Sequence, residues 1–202
     1  WYENDGSQNF TSHTVSMAAD SPRDASAVDL DGDGDTDILS ASSDDDTIAW
    51  YENDGSQNFT AHTISSDVTS AWSVFAADVD GDGDLDVLST SNSAAPAEIA
   101  WYENDGSQGF TARTITTAVG RPRSVFAADI DGDGYLDVLS ASTEDDKIAW
   151  YKNAGFDFAD APSPYPVTRA ENGAEHVAIG PTLGVTRDTE LNGTHSAAAD
   201  AD

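Results

Sequence analysis

The chain contains no cysteine and only two lysines, Lys147 and Lys152, beside six arginines. Without cysteine there are no disulfides and no thiolate metal sites. Zinc is not expected either, because His13, His62, His176 and His195 show none of the paired spacings of a zinc site. The few basic residues face 38 Asp and Glu, for a net charge of −30. Such a chain offers no basic surface to nucleic acid or anionic lipid. No apolar run approaches the roughly 18 residues of a membrane span, so membrane insertion is not expected. Helical periodicity is also missing, and Gly and Asp recur too often for helices. What is present is a large aromatic complement of five Trp, six Tyr and seven Phe, which points to a folded core. Self-repulsion on this scale destabilises a compact state unless cations neutralise part of it.

The chain is a repeat. An acidic nonapeptide appears at 29–37, 78–86 and 129–137, its first Asp recurring at intervals of 49 and then 51 residues. The segment Trp-Tyr-Glu-Asn-Asp-Gly-Ser-Gln starts at Trp1, Trp50 and Trp101, and a decayed copy starts at Trp150. The two extra residues of the middle copy fall within 91–98, an insertion of the kind exposed loops tolerate. Because the chain opens at Trp1 inside a repeat, it reads as a segment or processed product of a longer protein, with any targeting signal upstream.

Four strand-like runs per period are separated by turn residues; in the first unit they are 10–15, 25–28, 37–42 and 47–53. Asn-Asp-Gly at 4–6, 53–55 and 104–106 marks a turn. The expected fold is therefore all-β, with four antiparallel strands per repeat of about 50 residues, as in the blades of a β-propeller. A β-solenoid or a string of sandwiches is the alternative. Residues 1–9 read as the last strand of a preceding repeat, 10–154 as three blades, and 155–202 as a linker and an incomplete second module. Three blades are fewer than the four to eight of a closed ring, so the expectation is a partial propeller completed by upstream blades or by other copies. After Gly155 the acidic nonapeptide stops, and Pro162, Pro164 and Pro166 lead into short apolar runs at 177–179 and 183–185. That segment is too short to bury a good core alone.

The nonapeptide has the chemistry of a calcium loop. Calcium takes six to eight oxygens from carboxylates, carbonyls and water. Positions 1, 3, 5 and 9 supply side chains: Asp29, Asp31, Asp33 and Asp37, then Asp78, Asp80, Asp82 and Asp86, then Asp129, Asp131, Asp133 and Asp137. A glycine at position 6 allows the sharp turn. Position 7 is Asp35, Asp84 and Tyr135, and a place that accepts tyrosine is assigned to the backbone carbonyl. An EF-hand is excluded because position 12 is Ser40, Ser89 or Ser140 where a bidentate Glu is needed, and because the flanks read as strands. Magnesium is disfavoured by its strict octahedral demand. A solvated acidic turn without an ion is the bland alternative. It is disfavoured by repulsion of roughly 1 kcal/mol per carboxylate pair at 4 Å in water, and about 4 at an effective dielectric of 20.

The motif Asp-x-Asp-x-Asp-Gly-x-x-Asp, followed by Trp-Tyr-x-Asn-x-Gly, resembles the calcium loop of FG-GAP repeats, specifically the bacterial FG-GAP or VCBS type related to integrin α-subunit blades. The resemblance covers 1–155 and implies a propeller with about three calcium ions, one in the turn between two strands of each blade. The tail, with Asp157-Phe-Ala-Asp-Ala-Pro162, resembles the opening Asp-Phe-Gly-Asp-Ala-Pro of a module in large bacterial surface proteins. Together they imply an extracellular or cell-surface setting.

The functional expectation is a calcium-stabilised extracellular structural or adhesive module without catalytic activity. His13 and His62 share their repeat position with Arg113, which argues against a general base. Glu3, Glu52 and Glu103, with Asp5, Asp54 and Asp105, recur identically, whereas a catalytic pair needs two differing environments. The alternatives are a propeller binding a glycan or cell-surface protein, alone or as the non-catalytic part of a secreted enzyme, and a self-associating filament subunit built by strand donation. Selective contacts would sit on the loops 43–47, 91–98 and 143–147, which differ most among repeats.

Overall fold

A computed structural model describes residues 1–94 and 96–154, and the backbone of two short strands beyond them. The chain divides into two compact units, Trp1–Tyr151 and Lys152–Asp202. The first unit is entirely β. A hairpin of β1 (Tyr2–Asn4) and β2 (Phe10–Ser12) precedes a four-stranded antiparallel sheet of β3 (Pro22–Val28), β4 (Asp37–Ser42), β5 (Thr47–Asn53) and β6 (Phe59–Ser65). A second such sheet contains β7 (Ala71–Ala77), β8 (Asp86–Ser91), β9 (Glu98–Asn104) and β10 (Phe110–Thr116). The third has three strands, β11 (Pro122–Ala128), β12 (Asp137–Ser142) and β13 (Lys147–Tyr151). These are consecutive blades of a partial propeller, with the inner strand β7 packed between β3 and β11.

The second unit shows one antiparallel pair, β14 (Phe156–Asp157) with β15 (His176–Val177). Otherwise the incomplete module expected over 155–202, including its run at 183–185, lies outside the described residues.

Two expectations need correction. The first run, expected over 10–15, forms a strand only over Phe10–Ser12. The blades, counted from Phe10, begin one strand later: the Phe-Thr strand closes the sheet before it. Asn53 pairs with Phe59 and Tyr51 with Ala61. The short Asn-Asp-Gly turn places the two strands in register, and a local hairpin forms more readily than a crossover to the next sheet. Tyr2–Asn4 is accordingly not a lone strand but half of a hairpin, with Tyr2 opposite Ser12.

The core lies between sheets and follows the period-2 alternation of strands. Leu39, Ile48 and Trp50 of the first sheet meet Val74, Val87 and Tyr102 of the second. Leu88 and Ile99, on the opposite face of the second sheet, meet Val125 and Val138 of the third. Trp50 is 1% exposed, so it is a packing residue, and Trp101 packs against the second interface.

A bulge recurs at the start of each inner strand, at Arg23, Trp72 and Arg123. It re-aims these side chains along the row of sheets. The Trp72 ring lies 4.8 Å from the Arg23 guanidinium and 4.1 Å from that of Arg123. Asp24 adds a second tie, accepting from the Ser73 hydroxyl at 2.9 Å and the Val74 N–H at 3.0 Å.

Candidate metal centre

Each acidic loop joins the first and second strands of its sheet, at the end where the Asn-Asp-Gly turns also lie. Position 9 anchors it. Asp37, Asp86 and Asp137 are fully buried. Asp37 Oδ2 accepts the Leu30 N–H at 3.0 Å and its Oδ1 the Asn53 N–H at 2.8 Å. Asp86 repeats this with Val79 at 2.9 Å and Asn104 at 2.8 Å. Asp137 Oδ2 accepts from Ile130 at 3.1 Å. A carboxylate at this place closes the loop on itself and ties it to the Trp-Tyr-Glu-Asn strand.

Those asparagines anchor the acidic loops, a part that their place in a turn motif did not reveal. Asn53 Nδ2 also donates to the Thr36 carbonyl and Asn104 Nδ2 to the Leu85 carbonyl, both at 3.1 Å. The available signal was their recurrence at 16 and 18 residues after the position-9 Asp.

The remaining positions turn around a common point. Glycine at position 6 takes φ of +98°, +106° and +92° in the three loops, a region closed to most side chains. Its N–H donates to the position-1 carboxylate in every copy: Gly34 to Asp29 at 3.0 Å, Gly83 to Asp78 at 3.2 Å and Gly134 to Asp129 at 3.0 Å. Position 3 accepts the N–H of position 5, and position 5 that of position 7.

Ligand-type oxygens converge within 4.8 Å of one another in three groups: Asp29, Asp31 and Asp33; Asp78, Asp80 and Asp86; Asp129, Asp131 and Asp137. Positions 1 and 3 join all three groups. The third member is position 5 in the first loop and position 9 in the others, so Asp37, Asp82 and Asp133 stand outside the tight sets. No position-7 side chain takes part. Asp35 and Asp84 turn outward, their carboxylates occupying the space a side chain would need at Gly55 and Gly106.

The electrostatics of these groups are those of crowded, partly buried carboxylates that could hold a cation. Asp29 Oδ1 and Asp78 Oδ1 are buried and accept no hydrogen bond. Burial, helped by the charge of Asp86, pushes the Asp80 carboxyl up to about 6. Burial pushes Asp86 up to about 6 as well, although the Asn104 and Val79 amides pull it down. Asp31 is raised, first by burial and then by the charges of Asp33, Asp37 and Glu52. Buried oxygens without donors, crowded by like charges, are satisfied by a hard cation or by protons. The donor set is all oxygen, which suits calcium.

The other recurring carboxylates have structural partners. Asp5 and Asp54 accept first the side-chain amides of Asn9 and Asn58 and then backbone amides of their turns, Asp105 accepts backbone amides alone, and these bonds hold all three pKa values below the ordinary range. His62 stacks on Trp50 at 4.6 Å and meets Glu52 at 2.8 Å; His13 does the same with Trp1 and Glu3, and Arg113 lies over Trp101 and pairs with Glu103. The position thus favours a cation-capable clamp across two strands.

The FG-GAP-like repeat family matches residues 29–89, 80–140 and 129–181, each match opening within an acidic loop. The chain belongs to the FG-GAP-like repeat family. FG-GAP repeats are typical of extracellular and cell-surface proteins and are typically structural rather than catalytic. No curated protein sequence matches the chain. Among the described residues no helix is long and apolar enough to cross a membrane.

Proposed function

We propose that this protein is a calcium-stabilised extracellular scaffold, structural or adhesive, without catalytic activity of its own. The observation that carries this reading is the pair of buried, unpartnered oxygens at Asp29 and Asp78, each within a converging set of carboxylates. In each FG-GAP loop the carboxylates at positions 1 and 3 would hold calcium, with position 5 or 9 completing the tight set and the position-7 carbonyl of Asp35, Asp84 or Tyr135 available as a further ligand. Bound calcium supplies positive charge and rigid coordination. The chain's own part is to pin the loop through position 9 and to turn it at the position-6 glycine.

The antiparallel topology puts the acidic loops at one end of the sheets and the variable turns 43–47, 91–98 and 143–147 at the other. Adhesive contacts to a glycan or a cell-surface protein belong on that second end, which carries no nonapeptide. Limited proteolysis tests the scaffold. In millimolar calcium, cleavage within 29–37, 78–86 and 129–137 should be suppressed, and in chelator these loops should become the first sites cut. An identical digestion pattern in both conditions would contradict the proposal.

A further inference from the structure

The turn after each Trp-Tyr-Glu-Asn strand ends in glutamine, at Gln8, Gln57 and Gln108, and all three take a left-handed backbone, φ +70°, +65° and +64°. A long side chain in that region is uncommon, because Cβ crowds the backbone. Asn and Gly adopt it far more readily. Of the three glutamines, Gln108 is the one whose side chain reaches a neighbouring sheet. Phe110, two residues on, packs against the core between the first and second sheets, which brings the turn of the second sheet onto the first. There the Gln108 amide reaches 77 residues back in sequence, with Nε2 at 3.5 Å from Asp31 Oδ2. Asp31 is the position-3 carboxylate of the first loop and belongs to its converging set. Gln57 makes no such contact among the described residues.

We infer that Gln108 is a positioning residue of the first cation site, supplied by the neighbouring sheet, so that a cation bound at 29–37 fastens two blades rather than one. The inference rests on the calcium reading proposed above. Free Asp31 is an acceptor crowded by Asp33, Asp37 and Glu52, and an amide donor from outside its own loop fixes which way it points. Groups that orient a ligand in this way typically contribute about 10-fold to 100-fold in metal affinity. A long, partly solvated hydrogen bond belongs at the lower end of that range.

The test is a calcium titration of the full 202-residue chain, followed by amide resonances of Gly34, Gly83 and Gly134, each of which reports its own loop. Gln108→Ala should weaken the Gly34 midpoint about tenfold while leaving those of Gly83 and Gly134 in place. Gln57→Ala, at the equivalent position, should move none of the three. A Gly34 midpoint unaffected by Gln108→Ala overturns the inference, as does an equal shift at all three loops, which would mark a general loss of stability. If the wild-type chain shows no calcium response at any glycine, it is the calcium reading itself that fails.

Discussion

Removing calcium should lower the melting temperature of this protein by roughly 20 °C. An ion at about 100 times its dissociation constant adds about 2.7 kcal/mol, so three ions add about 8. In a chain of this size each kcal/mol corresponds to about 2–4 °C. The charge explains why the effect is large: 38 carboxylates face eight basic side chains, and the three loops concentrate the repulsion at one end of the sheets. Calorimetric melts in millimolar calcium and in chelator measure it, and coincident curves would defeat the expectation. The pH dependence of the metal-free chain has a defined sign. The Asp80 and Asp86 carboxyls, at about 6, are raised above their ordinary value of 3.8. Their protonation therefore favours the folded state, a contribution present in full below 3.8 and lost as pH rises through 6. The metal-free melting temperature should rise as pH falls from 7 toward 5, and calcium, which competes with these protons, should stabilise least at the acidic end.

Asp86→Ala should destabilise the chain by about 4 kcal/mol even without calcium, because two buried amides lose their acceptor at about 1–3 kcal/mol each. Those amides are the N–H groups of Val79 and Asn104, and no water-facing route replaces a carboxylate that is fully buried. Asp84→Ala, two residues away, should stay within about 0.5 kcal/mol in the same metal-free state, since its side chain lies outside the converging oxygens. Chemical denaturation of both variants in chelator separates the two kinds of aspartate. Equal effects, or a neutral Asp86→Ala, would contradict the assignment of position 9 as the loop's anchor.

Much of this was legible in the sequence. The strands Asp37–Ser42 and Thr47–Asn53 coincide with the expected runs, because alternating Ile, Leu, Trp and Tyr between Gly-rich turns leave little ambiguity. Tyr135 at position 7 led to the expectation that this place contributes no side chain, and the Asp35 and Asp84 carboxylates lie against Gly55 and Gly106, outside the converging sets. The phase of the blades was not legible, since a repeat of fixed period looks the same wherever counting begins and only hydrogen bonding shows that Phe59–Ser65 closes the first sheet. The contributions of Asn53 and Asn104 were hidden behind their value as turn residues. The reach of Gln108 to Asp31 depends on how one sheet packs on the next, which local pattern does not encode.

Titration calorimetry of the metal-free chain tests most directly whether the three aspartate loops hold calcium. The expected result is three equivalents of calcium per chain, falling to two in Asp78→Asn; a flat titration would contradict the account.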